Sequence, residues 1–246
     1  MARKEMAGAM EDPPRRDVDP GAFSHWMTGA SLIEEDGHGP KVYWLADDRM
    51  LKLFRIKRVW SSNLVSPYAL RFARNAAELQ KRGFGCVAVA EWGRIPHMRR
   101  QYVLYPRVRG RGLRELLVQS EGGEGAFLES FAHFFGRMHG AGIYFRSCHF
   151  GNVLLDDEAK FFLIDVMDVS FAREQLSWSR RIRNFRHLLR YPGDGVWIRR
   201  FGLDRFLQGY EGGLADPDDD AQAGRLAVRV GQLLGDGPLA GRGQAG

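Results

Sequence analysis

Residues 143–165, IYFRSCHFGNVLLDDEAKFFLID, set a short β-hairpin inside a stretch otherwise patterned as helix, and this restricts the fold more than any other feature. Two apolar runs, Val153–Leu155 and Phe161–Leu163, flank the turn Asp156-Asp157-Glu158-Ala159. Before the hairpin, residues 125–141 are helical in pattern, with Phe127, Phe131, Phe134, Phe135 and Met138 on one stripe. After it come an arginine-rich helix over about 172–190 and a second helix over about 197–210.

The first hundred residues follow a different rule. SLIEE and KVYWLA flank the turn-rich segment Asp36–Pro40, and Asp47-Asp48 precedes the alternating strand RMLKLF, so three antiparallel strands are expected. Residues 67–82 read as a helix, opened by Pro67 and closed by Gly83, with Phe72, Ala76 and Leu79 recurring on one face. CVAVAEW and QYVLYPRV are two further strand candidates, and LRELLVQ a short helix. Strands first, helices later and one embedded hairpin imply a two-lobed α+β domain. The expected organisation is a disordered lead-in over 1–20, an N-terminal lobe over 21–108, a mainly helical C-terminal lobe over 109–211, and a Gly-, Ala- and Asp-rich tail over 212–246 that carries one short helix at 221–234.

Composition narrows the setting. A chain of 246 residues with 44% hydrophobic and 27% charged residues can bury a full core without staples. Cys86 and Cys148 show no metal or redox spacing, which fits a reducing cytosol. The N-terminal stretch turns polar and proline-rich, without the apolar segment of a signal peptide, and no run reaches the ~18 apolar residues of a membrane span. The expectation is a cytoplasmic protein that meets any lipid from the cytosolic side. A net charge of +6 favours an anionic partner.

Chemistry enters with Asn152 and Asp165. An amide and a carboxylate on adjacent strand ends can share a divalent cation, since Mg²⁺ accepts a few hard oxygen ligands and keeps the rest as water or phosphate. At this point the chain resembles the protein-kinase-like superfamily over about residues 30–210. The order of parts agrees: a hairpin, a strand carrying Lys52, a helix, two strands ending in YVLYPRVRG, a long apolar helix, a catalytic loop and a metal strand. Within it, LKLFRIKR, RFARNAAEL, GIYFRSCHFGNVLL and RIRNFRHLLRY resemble the lipopolysaccharide core kinases of the Kdo and heptose type, especially the bacterial "toluene tolerance" branch.

The resemblance implies ATP and Mg²⁺ as cofactors, Lys52 on the α/β phosphates, and Asn152 and Asp165 on the metal. Gly37, His38 and Gly39 fall where a phosphate-covering loop would lie, in a shortened Gly37-x-Gly39-x-x-Val42 pattern. Two departures stand out. Where the family has His-Arg-Asp, this chain has Phe145-Arg146-Ser147, and a serine is no carboxylate base. His149 then has two readings, as a substitute base or as a residue holding the loop through hydrogen bonds. The helix glutamate that would pair with Lys52 is replaced by Asn75, which falls inside the apolar arc, while Glu78 projects to one side and remains the alternative.

The function so implied is transfer of the γ-phosphoryl group of ATP to a sugar hydroxyl of lipid-linked lipopolysaccharide core. The alternative is a nucleotide-binding pseudokinase scaffold in envelope biogenesis, and nucleic-acid binding lacks any reader motif. Arg180, Arg181, Arg183, Arg186 and Arg190 alternate with Trp178, Ile182, Phe185, Leu188 and Leu189, an amphipathic pattern that would suit anionic lipid at the inner membrane or a phosphorylated sugar.

Overall fold

The computed structural model describes residues 12–56, 67–120, 124–216 and 220–235. Residues 1–11 of the expected lead-in and 236–246 of the expected tail lie outside the described residues, as do Lys57 and Arg58 of the LKLFRIKR segment. The chain divides into two units, Met1–Val108 and Arg109–Gly246. One is built on an antiparallel sheet and the other mainly on helices, the α+β order of elements expected from the sequence.

In the first unit, α1 (Pro20–Met27) precedes β1 (Ser31–Asp36), β2 (Gly39–Trp44) and β3 (Arg49–Arg55). Then come α2 (Tyr68–Lys81), β4 (Gly85–Cys86), β5 (Glu91–Ile95) and β6 (Arg100–Pro106). The main sheet runs β1-β2-β3-β6-β5, so β3 lies at its centre. Alternation along β3 sends Leu51 and Leu53 into a cluster with Val18, Leu45, Ile95, Tyr102 and Leu104, covered by Phe23, Trp26 and Met27 of α1. Met50, Lys52 and Phe54 point to the opposite face, where α2 packs; the Phe54 and Phe72 rings lie 5.8 Å apart and those of Phe72 and Tyr105 6.1 Å apart.

Three expectations change here. Residues 12–20 were expected to be disordered, yet Arg16 N donates to Trp92 O (2.9 Å), Val18 N to Arg94 O (2.8 Å) and Trp92 N to Pro14 O (3.1 Å). This strap supplies the outer edge of β5 with hydrogen-bond partners, and Val18 anchors it in the core. Helix α1 was not anticipated, though Asp19 caps it by accepting from Ala22 N and Pro20 occupies its first turn. The CVAVAEW segment is not one strand, since β4 ends at Cys86 and β5 starts at Glu91.

The second unit opens with β7 (Arg111–Gly112), α3 (Leu113–Gln119) and α4 (Glu124–Gly140). It continues through β8 (Ile143–Phe145), β9 (Val153–Leu155), β10 (Phe161–Leu163) and β11 (Val169–Phe171). Four helices follow: α5 (Trp178–Leu188), α6 (Pro192–Phe201), α7 (Leu203–Gly212) and α8 (Asp220–Gly235). Helices α4 and α7 pack along each other, and Phe131 on α4 sits against Phe135, Phe150, Phe161 and Phe206. The arginine-rich helix begins at Trp178, later than expected. The single helix expected over 197–210 is two, because Gly202 takes φ +102° and breaks the run between α6 and α7. Part of the expected tail is helix α8, which buries Leu226, Val230 and Leu234.

Candidate functional site

Lys52 occupies the middle of β3, opposite Val42 on β2 and Val103 on β6, and only 9% of it is exposed. Burying an ammonium in a strand of apolar neighbours is expensive, so its position is informative. Asn75 lies on the buried face of α2 with Phe72, Ala76 and Leu79, and is 8% exposed. Glu78 points aside and pairs with Arg82 at 2.7 Å. Lys52 and Asn75 therefore belong to one face of the sheet, the face covered by α2. The N-terminus of that helix is held by Gln101, whose Oε1 accepts from Ala69 N at 3.1 Å.

Gly37 and His38 form a tight two-residue connection between β1 and β2. Asp36 Oδ1 accepts from His38 N (2.8 Å), Arg100 donates to His38 O (2.7 Å), and Lys41 pairs with Glu34 and Asp36. One backbone donor of the turn is thus already used, and Asp36 adds negative charge beside it; the backbone donor of His38 and, after it, Lys41 hold its carboxyl below the usual range.

In the second unit the loop from Arg146 to Asn152 leaves β8 and enters β9. Several bonds shape it, among them Cys148 N donating to Phe145 O (3.0 Å), Asn152 N to His149 O (2.9 Å), and Asn152 Nδ2 to Ser147 O (2.9 Å). The last bond commits the amide nitrogen inward and leaves Oδ1 as the acceptor available to a cation. Strand β10 pairs with β9 with Leu163 opposite Val153, and Ile164 N donates to Asn152 O (3.1 Å), so Asp165 follows one residue beyond Asn152's partner. Asp165 adopts φ 57°, ψ 44°, a left-handed conformation uncommon outside glycine and concentrated at functional positions. An amide oxygen and a carboxylate suit a hard divalent cation. Among the described residues no group of three or more His, Cys, Asp or Glu converges, so the pair fits a cation that brings water or phosphate as its other ligands.

Ser147 stands one residue beyond the exposed Arg146, whose N donates to Asp168 O at 3.2 Å. His149 Nδ1 accepts from Gly151 N at 3.1 Å, which selects the tautomer with its proton on Nε2. Partial burial and the nearby Arg114 guanidinium hold its pKa below the usual histidine value. His149 is therefore neutral near pH 7, with its free nitrogen already protonated, and the Gly151 bond ties the loop. Cys148 is fully buried, and burial pushes its thiol well above the ordinary range.

Three residues that sequence reasoning did not single out hold this loop in place. Asn184 on α5 accepts from Phe145 N (3.1 Å) and donates to Phe145 O (2.8 Å), pairing with the last residue of β8 as a strand would. Asp194 on α6, 1% exposed, receives both nitrogens of the Arg114 fork at 2.8 Å and the Phe150 N–H at 3.2 Å. The Arg114 guanidinium lies 4.7 Å from the Tyr191 ring, and His149 meets the edge of that ring at 4.7 Å. An asparagine on the apolar stripe of the arginine-rich helix was a visible signal for Asn184; Asp194 and Arg114 had none.

The arginine-rich helix corrects another expectation. Its apolar side, Ile182, Phe185 and Leu188, is buried within the unit, and Arg181 is buried with it at 2% exposure. Neither is presented to a bilayer. Arg180, Arg183, Arg186 and Arg190 remain exposed. No helix among the described residues is long and apolar enough to cross a membrane.

No protein-family model and no curated protein matches the sequence. Similar solved structures include the bifunctional kinase-methyltransferase WbdD, at 16% identity and TM-score 0.46 over 82% of this chain and 50% of that one. Monomeric WbdD is similar at 14% identity and TM-score 0.47 over 82% and 48%, and WbdD with the kinase inhibitor LY294002 at 16% and 0.44 over 74% and 45%. The chain spans about half the length of these structures.

Proposed function

We propose that the protein is an ATP-dependent phosphotransferase acting on a sugar hydroxyl of lipopolysaccharide core, as its resemblance to the Kdo and heptose kinases and the "toluene tolerance" branch implies. One observation supports this most directly: the Asn152 amide is tied back to Ser147 O, one residue from register with Asp165. Lys52 would contact the α/β phosphates of ATP, and Asn152 and Asp165 would hold Mg²⁺. The ion, when bound, offsets phosphate charge. Asn75 would keep the Lys52 ammonium hydrogen-bonded without the ion pair that a glutamate would give. Gly37 and Gly39 would border the phosphates only through the backbone of their turn.

No carboxylate base follows from this loop. Ser147 has none to offer, and the tautomer of His149 favours holding the loop over accepting a proton. Phosphoryl transfer through a loose transition state depends mainly on alignment and charge, which positioned groups supply without a base. Acceptor-dependent consumption of labelled ATP, with label recovered in lipid-linked core oligosaccharide, is the expected result, and Asn152→Ala should abolish it.

The same Ser147 favours a second reading, a nucleotide-binding scaffold in envelope biogenesis. ATP bound without acceptor-dependent turnover would decide for it. In either case the protein would work at the cytoplasmic face of the inner membrane, touching anionic lipid only through exposed arginines, because the apolar side of α5 is buried.

A further inference from the structure

Beside the candidate catalytic loop, three guanidinium groups gather around one histidine. His187 on α5 is fixed from both sides: Arg190 donates to its Nδ1 at 3.0 Å, so Nε2 carries the proton and meets the Tyr144 hydroxyl at 3.0 Å. Arg190 also reaches the carbonyl of Arg146 at 3.5 Å, and Arg146 is anchored by its N–H to Asp168 O. Arg183 lies one helical turn before His187 on the same face. Burial lowers the His187 pKa, and Arg190, Arg146 and Arg183 lower it further, with Asp168 opposing them.

Three cations thus lie around a neutral imidazole, with Asp168 among the groups that offset them. Among the described residues no carboxylate lies within ion-pairing distance of Arg146, Arg183 or Arg190. Exposed arginines with no other task would spread apart to lower their repulsion. Here the carbonyl of the loop and the ring of His187 hold Arg190 in place instead. Guanidinium forks suit the paired oxygens of phosphate or carboxylate, and an oxyanion would relieve the excess charge.

We infer that Arg146, Arg183 and Arg190 form an oxyanion subsite that holds a phosphate or carboxylate group carried by the acceptor itself, next to Ser147. The acceptor is then an anionic sugar, recognised by its charged substituent before its hydroxyl is presented to the loop. The assignment of the ligand as acceptor rests on the phosphotransfer reading; anion binding does not, and is tested without nucleotide.

The test uses inorganic phosphate on the full chain, with the His187 ring followed by NMR and assigned from His187→Gln. Saturable phosphate binding that raises the His187 pKa is expected. The double variant Arg146→Gln/Arg183→Gln, both exposed positions, should weaken it roughly tenfold or more while the far-ultraviolet dichroism stays unchanged. Glucose 6-phosphate should compete with phosphate. An unmoved His187 resonance, or equal affinity in the double variant, overturns the subsite. A response to phosphatidylglycerol vesicles but to neither soluble phosphate overturns it in favour of a membrane contact. Loss of Mg²⁺-dependent ATP binding with phosphate binding intact would remove the phosphotransfer reading and leave the anion site standing.

Discussion

Acidification from pH 7 to pH 5 should destabilise the second unit, and the fully buried His139 contributes a separable part of the loss. This residue on α4 is fully buried, with Nε2 3.2 Å from Asn184 Oδ1 and Nδ1 2.8 Å from the Tyr210 hydroxyl. Asn184 donates its own amide to Phe145 O, so its oxygen is the acceptor, and His139 must carry its proton on Nε2 and accept from Tyr210. Burial drives the His139 pKa from the ordinary 6.5 down to about 3, the Asn184 bond opposes the shift, and the Arg181 charge adds to it.

The folded state thus keeps His139 neutral while the unfolded chain takes up a proton below pH 6.5. The unfolded state binds more protons, so stability is complete above 6.5 and falls as the pH drops toward the folded value near 3. At pH 5 the unfolded imidazole is almost fully charged and the folded one almost fully neutral, a difference of about 2 kcal/mol. That figure hardly changes if the folded pKa lies anywhere below about 4. Urea unfolding at pH 7 and pH 5, on wild type and His139→Gln, isolates the contribution from other titrating groups. The variant should be less stable at pH 7, and its loss between the two pH values should be smaller by about 2 kcal/mol. An equal loss in both proteins would refute the argument.

Other outcomes follow from the same contacts. Asn184→Ala leaves both backbone groups of Phe145 without their side-chain partner in a buried setting, and should cost about 3 kcal/mol in urea unfolding. Gly93→Ala would place a Cβ 1.7 Å from Arg16 O, so the strap must lift from β5 and trypsin should cut faster after Arg15 and Arg16; unchanged cleavage would contradict the packing. In His149→Gln the pH–rate profile should keep the acid limb of the wild type, since the structure uses His149 to tie the loop; disappearance of that limb would make it the base.

Local pattern explains which elements were legible. Helix α2, helix α4 and the β9–β10 hairpin each carry their signal within one run of residues, and so did the strands β1 to β3. The strap over 12–18 did not, because a charged, proline-rich segment becomes ordered only through contacts with residues distant in sequence, such as its bonds to β5 nearly eighty positions away. Helix α1 could have been found from Asp19, Pro20 and the spacing of Phe23, Trp26 and Met27. The β8–β11 pair is three residues long on each side and leaves no periodicity to read. The same division runs through the site. Lys52, Asn75, Asn152 and Asp165 stand out by residue type and order, whereas Asn184, Asp194 and Arg114 act across separations of 39, 44 and 80 residues.

The central claim is tested most directly by calorimetry of ATP binding with and without magnesium, on wild type and Asp165→Ala. Binding that requires Mg²⁺ and is lost in the variant is the predicted result. Absence of binding in the wild type, or binding indifferent to both the metal and Asp165, would contradict a nucleotide and metal site at Asn152 and Asp165.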